Sequence, residues 1–145
     1  MDKFIITGGN PLRGHISISG AKNAALKMLV AACLTDEPVV IKNFPLISDL
    51  HVMTEIIHLL GGKVTIDEHT ITVKMEQIDA AKIPLDTAAR IRTSMMFIAP
   101  LLARVGEAVI PNPGGDRIGS RPIDRIVKGL QAMQAEVVYH EEDGY

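Results

Sequence analysis

The sequence predicts an α/β protein built from repeated units of buried helix, strand, amphipathic helix and strand pair, with the buried helices inside and sheets outside. Three observations lead there. Two almost wholly apolar stretches, residues 21–34 and 94–103, read as buried helices. Each is followed by a short β-branched run and then by a helix with one apolar face. The order of elements recurs at a spacing of roughly 70 residues, as in a duplicated supersecondary unit. EPVVIKN at 37–43 matches GEAVIPN at 106–112, and LLGGKVTI at 59–66 matches AMQAEVVY at 132–139.

Along the chain, residues 4–7 and 15–19 read as short strands separated by the turn residues Gly8, Gly9, Asn10 and Pro11. After the first apolar helix, Asp36, Glu37 and Pro38 punctuate the chain, and residues 39–41 read as a strand. Leu50, Met53, Ile56, Ile57 and Leu60 then recur at helical spacing, with Thr54, Glu55 and His58 on the opposite side. Gly61 and Gly62 suit a left-handed C-cap. Residues 63–66 and 70–74 alternate as a strand pair around Asp67, Glu68 and His69. In the second unit Pro100 is expected to kink or break the apolar helix, and residues 108–110 read as a strand. Ile123, Ile126, Val127, Leu130 and Met133 form the apolar face of the next helix, which leads into a strand at 136–139. Residues 141–145 read as the turn into a further strand, so the sequence is expected to be truncated there.

Composition bounds the function. A chain of 145 residues, 47% hydrophobic and 22% charged, has the make-up of an ordinary globular domain. Aromatic residues are 3% and Trp is absent, so aliphatic and Met side chains must fill the core. Fifteen Lys and Arg against seventeen Asp and Glu give a net charge of −2, with no basic run. That excludes a general nucleic-acid binder and leaves room for a local basic pocket. The single cysteine, Cys33, rules out an intrachain disulfide and sits in the apolar run LVAACL, where a buried structural thiol is expected. The apolar stretch at residues 29–34 is far below the ~20 residues that span a bilayer. No secretory leader is legible, so a soluble cytoplasmic protein without membrane partners is expected. The five His are scattered without ligand spacing, and neither a metal nor an organic cofactor is expected.

Three segments carry polar residues that the fold does not require. In SGAKNAAL, Lys22 and Asn23 open an otherwise apolar helix. They either face water or serve an anion, since a cation at a helix N-terminus gains a purpose when an anion is bound there. In AARIRTSMM, Arg90 and Arg92 stand at the equivalent entrance of the second unit. They read as a solvated edge or as bidentate ligands for phosphate or carboxylate. In PNPGGDRIGSRP, residues 111–122, Gly114, Gly115 and Gly119 surround Asp116, Arg117 and Arg121. This is either a surface turn or a mobile lid that carries a catalytic acid.

Taken together, SGAKNAAL and GGDRIGSRPID resemble the signatures of the enolpyruvyl transferases, and most closely those that act on UDP-N-acetylglucosamine. The resemblance runs over the whole chain. It implies an inside-out α/β barrel of repeated β-α-β-α-β-β units, in which residues 1–20 belong with a C-terminal domain and residues 21–145 form an incomplete N-terminal domain of about two of three units. It also implies transfer of the enolpyruvyl group from phosphoenolpyruvate to the 3′-hydroxyl of UDP-N-acetylglucosamine, the first committed step of peptidoglycan synthesis. Lys22 would contact phosphoenolpyruvate, and Asn23 beside it would help to hold the sugar nucleotide. Arg92 would contact the UDP-sugar, and Arg121 the phosphate. Arg121, Pro122, Ile123, Asp124 and Arg125 would lie along the uridine side. Asp116 occupies the position of the proton donor, where most members have Cys and a minority Asp. An ordinary Asp has a pKa of about 3.9, so substrate anions and water exclusion would have to raise it against Arg117 and Arg121. With a carboxylate there, epoxides such as fosfomycin, which alkylate a thiolate, should not inactivate the enzyme. Lys27 departs from the family, standing where proline is usual. Alone, the chain would lack the other wall of the site and be inactive. The alternatives are a transferase acting on shikimate 3-phosphate and a non-catalytic binding module.

Overall fold

A computed structural model describes residues 3–112, 122–141 and 144–145. The first unit forms as its sequence pattern dictates. Helix α1 (Lys22–Ala32) leads to strand β1 (Val39–Ile41), helix α2 (Ser48–Leu59) and the hairpin β2 (Lys63–Asp67) and β3 (Thr70–Lys74). The three strands form an antiparallel sheet in the order β1-β3-β2, with Ile41 opposite Ile71 and Val64 opposite Val73. Ile71 and Val73 of β3 turn into the core, where β3 packs against α1. The apolar stripe of α2, Leu50, Met53, Ile56, Ile57 and Leu60, is buried. Its C-terminus is a Schellman motif: Gly61 has φ +98°, its N–H donates to the His58 carbonyl at 3.0 Å, and the Gly62 N–H donates to the Ile57 carbonyl at 2.8 Å.

α1 departs from expectation in one respect. Leu26, Leu29, Val30 and Cys33 are buried, but Met28 and Leu34 face outward, so only one side of this apolar helix is covered. Among the described residues no element packs on the other side.

The second unit is less complete. After the short α3 (Leu85–Ala88), the chain forms a 3-10 helix (Arg92–Phe97) that passes into α4 (Ile98–Arg104). Pro100 falls in the first turn of α4, where a missing N–H costs least. The break therefore lies before Pro100, at the 3-10 to α junction. Helix α5 (Asp124–Ala132) forms, but its expected apolar face is not buried: Met133 is 72% exposed. Ile123, Ile126, Val127 and Leu130 line an apolar groove of about 400 Å³ against α4.

The expected strand at 136–139 makes no ladder among the described residues, and neither do those at 4–7 and 15–19. Alternation alone does not make a strand, because the backbone N–H and C=O groups need a partner chain. Phe4, Ile6, Ile16 and Ile18 are correspondingly exposed. At 108–110 the expected strand reduces to single bridges. Val109 pairs in parallel with Lys82, and Ile110 and Tyr145 exchange both backbone hydrogen bonds, at 2.7 and 2.9 Å. By the internal match of the sequence Ile110 occupies the place of Ile41, and Ile41 stands opposite Ile71. Tyr145 thus takes the place of Ile71. The described residues contain one three-stranded sheet, not a closed barrel.

Arg104, the last residue of α4, ties the units together. Its Nη1 lies 3.2 Å from the Cys33 carbonyl, 3.1 Å from that of Thr35 and 2.6 Å from that of Met75, while Nη2 lies 2.9 Å from that of Glu76. One guanidinium thus satisfies carbonyls at the end of α1 and just beyond β3.

Candidate functional site

Three helix entrances converge on one side of the molecule. Lys22 and Asn23 open α1, Ser48 and Asp49 open α2, and Arg92 and Thr93 open the 3-10 helix. None of the three N-termini has a side-chain cap; the preceding residues are Ala21, Ile47 and Ile91. Their first-turn N–H groups therefore lack the usual side-chain acceptor, and the helix dipoles add positive potential at the same place.

Glycine makes the convergence possible. A Cβ at Gly20 would lie 2.3 Å from the Asn43 carbonyl oxygen, where the Gly20 N–H donates a hydrogen bond of 3.1 Å. Only glycine lets the loop before α1 lie against the loop before α2. The entrance of α1 is thereby set beside that of α2, and Lys22 comes within reach of Asp49.

These entrances line an open cleft of about 850 Å³. Lys22, Asn23, Arg90 and Arg92 all line it, with Ser48, Asp49, His51 and Thr93 as further polar groups. Lys22, Arg90 and Arg92 outnumber Asp49 and the Glu55 that pairs with Arg90, which makes the cleft basic on a chain of net charge −2. The Lys22 ammonium lies 2.7 Å from Asp49 Oδ2, with side-chain exposures of 54% and 22%. Arg90 Nη1 lies 2.7 Å from Glu55 Oε2 at the rim. Beneath the cleft, Ser94 is buried and its hydroxyl donates to the Ala88 and Ile91 carbonyls, which fixes the turn that presents Arg92.

The expected site residues fall into three groups. Lys22, Asn23 and Arg92, some 70 residues apart in sequence, share the cleft. Pro122, Asp124 and Arg125 lie exposed at the start of α5 and Ile123 faces the apolar groove; of α5 only Ile126 reaches the cleft lining. Asp116 and Arg121 lie outside the described residues. Sequence reasoning missed Asp49. The signal was there, an acid in the first turn of an amphipathic helix, but its partner was not legible. Among the described residues no three His, Cys, Asp or Glu side chains come together as a metal site, and no helix is long and apolar enough to cross a membrane.

Fold and cleft together define an α/β protein that gathers cations at helix entrances. Residues 6–145 match the EPSP synthase (3-phosphoshikimate 1-carboxyvinyltransferase) family, and the chain belongs to that family. It is 48% identical over 136 residues to UDP-N-acetylglucosamine 1-carboxyvinyltransferase 3 of Caldanaerobacter subterraneus subsp. tengcongensis, covering 94% of this chain and 33% of the relative. It is 43% identical over 145 residues to UDP-N-acetylglucosamine 1-carboxyvinyltransferase 1 of Carboxydothermus hydrogenoformans, covering 34% of that relative. The crystal structure of the enolpyruvyl transferase NikO from Streptomyces tendae superposes on 66% of this chain and 22% of its own, with a TM-score of 0.60 and 33% identity. The chain spans about a third of the length of the curated relatives it matches.

Proposed function

We propose that this chain forms one wall of the active site of an enolpyruvyl transferase that joins phosphoenolpyruvate to UDP-N-acetylglucosamine in peptidoglycan synthesis. The supporting observation is the convergence of Lys22, Asn23 and Arg92 on one basic cleft. Relatives carrying that enzyme's name at 43–48% identity favour the UDP-sugar over shikimate 3-phosphate as acceptor. On this reading residues 21–145 belong to the N-terminal domain, as about two of three repeat units. Residues 1–20 belong with a C-terminal domain that supplies the other wall. The outward apolar side chains of residues 3–20 suit a segment that packs elsewhere.

In the reaction the 3′-hydroxyl of UDP-N-acetylglucosamine adds to C2 of phosphoenolpyruvate, giving its proton to a carboxylate base on the other wall, while Asp116 delivers a proton to C3. The product of this step is a tetrahedral phospho-ketal. Loss of a C3 proton and of phosphate then yields the enolpyruvyl ether. Lys22 and Arg121 balance phosphate and carboxylate charge, which is electrostatic catalysis without a metal. Asn23, Arg92 and residues Arg121, Pro122, Ile123, Asp124 and Arg125 hold the nucleotide sugar. Both substrates are soluble polyanions that do not cross a bilayer, which fits a cytoplasmic enzyme.

The test is a chimera in which this chain replaces the matching third of the Caldanaerobacter relative. It should release phosphate from phosphoenolpyruvate with UDP-N-acetylglucosamine and not with shikimate 3-phosphate. Asp116→Asn should abolish turnover and leave UDP-N-acetylglucosamine binding intact. Full turnover by that variant would remove Asp116 from the mechanism, and turnover with shikimate 3-phosphate would overturn the acceptor assignment.

A further inference from the structure

We infer that Asp49 is a positioning residue for Lys22: it is the internal counter-ion that holds the ammonium at the cleft and competes with the incoming anion for it. The inference deepens the reading of the cleft as an anion site and rests on it. Four observations support it. The Lys22–Asp49 contact is short, at 2.7 Å, and joins the first turn of α1 to the first turn of α2. Asp49 is the less exposed partner, 22% against 54%, so the ammonium is the end of the pair more open to an incoming anion. Asp49 is the only carboxylate among the described residues lining the cleft. Gly20, which approaches Asn43 too closely for any side chain, sets the register between the two helix entrances and so the distance between the two charges.

Physically the pair does two things. An ammonium at a helix N-terminus is opposed by the dipole, and a neighbouring carboxylate both cancels that penalty and limits where the flexible lysine stem can go. The same carboxylate neutralises charge that a ligand would otherwise meet. Lysine has three N–H donors, and a phosphate with more charge than a carboxylate can take the place of Asp49 or share the ammonium with it. Asp49 therefore lowers affinity for small anions and raises the precision with which Lys22 meets them. A half-exposed ion pair sets the size: removing the carboxylate should tighten phosphate binding about two- to fivefold.

The experiment is a titration of the chain with inorganic phosphate, followed by heteronuclear NMR, as a double-mutant cycle over Lys22→Gln and Asp49→Asn. Asp49→Asn should tighten binding in the presence of Lys22 and have at most a small effect in the Lys22→Gln background. Asp49→Glu should return affinity towards that of the parent chain. Glu55→Gln removes a charge from the same helix beside Arg90 and controls for general electrostatics; its effect should be smaller and independent of Lys22. Equal effects of Asp49→Asn in both backgrounds, or equal effects of Asp49→Asn and Glu55→Gln, overturn the inference while leaving the cleft an anion site. Phosphate binding that is unchanged by Lys22→Gln, or absent from the parent chain, overturns both. Each variant's NMR spectrum reports whether it is folded. If Asp49→Asn unfolds the chain, Asp49→Ser carries the same cycle with a small helix-starting residue in that turn.

Discussion

Arg104, at the end of α4, donates to the carbonyl of Cys33, at the end of α1, across 71 positions of sequence. The contact joins the two units, and three further carbonyls share the same guanidinium.

Removing that side chain leaves partly buried carbonyl oxygens without their donor. Charged hydrogen bonds are worth about 1.5–3 kcal/mol each, but these four share one group and are not additive. Arg104→Ala should therefore destabilise the chain by roughly 2–4 kcal/mol. Arg104→Lys should recover part of this, because an ammonium can satisfy some of the carbonyls but cannot span them with a planar fork. Urea denaturation followed by circular dichroism measures both. An unchanged midpoint for Arg104→Ala would show that the units are held together by apolar packing alone.

Cys33 is the only thiol of the chain, and burial pushes it from the ordinary 9.0 up to about 12, slightly offset by the Arg104 charge. With its Sγ–H also donating to the Leu29 carbonyl at 3.4 Å, it should be inert to thiol reagents and epoxides at neutral pH while the chain is folded. Intact-mass spectrometry after incubation with iodoacetamide or fosfomycin should find unmodified protein, and modification only in denaturant. The linkage sign is fixed by the raised folded-state value. The unfolded thiol ionises first as pH rises, so the contribution of Cys33 to stability is complete below pH 9 and declines between 9 and about 12. Rapid modification of the folded chain at pH 7 would contradict the assignment.

The parts of the fold legible in sequence are those whose cause is local. Leu50, Met53, Ile56, Ile57 and Leu60 announce α2 by spacing, and Gly61 announces its end by backbone need. Lys22, Asn23 and Arg92 were legible because polar groups at the mouth of an apolar helix have no packing reason to be there. What failed depended on partners distant in sequence. The alternation at 4–7 and 15–19 has no facing strand among the described residues, and α5 has no ladder to bury Met133. The apolar run of α1 gave no hint that Met28 would face outward, since composition without polarity carries no phase. Asp49 and Arg104 take their meaning from residues 27 and 71 positions away, which spacing rules cannot reach.

The anion site proposed at the three helix entrances underlies every role assigned to Lys22, Asn23 and Arg92. Titrating isotope-labelled chain with phosphoenolpyruvate and following backbone amides by NMR tests it directly. Shifts should cluster at residues 22–24, 48–51 and 91–94, weaken with added salt, and vanish in Lys22→Gln. Shifts confined to the apolar groove beside α5, or no shifts up to millimolar ligand, would contradict it.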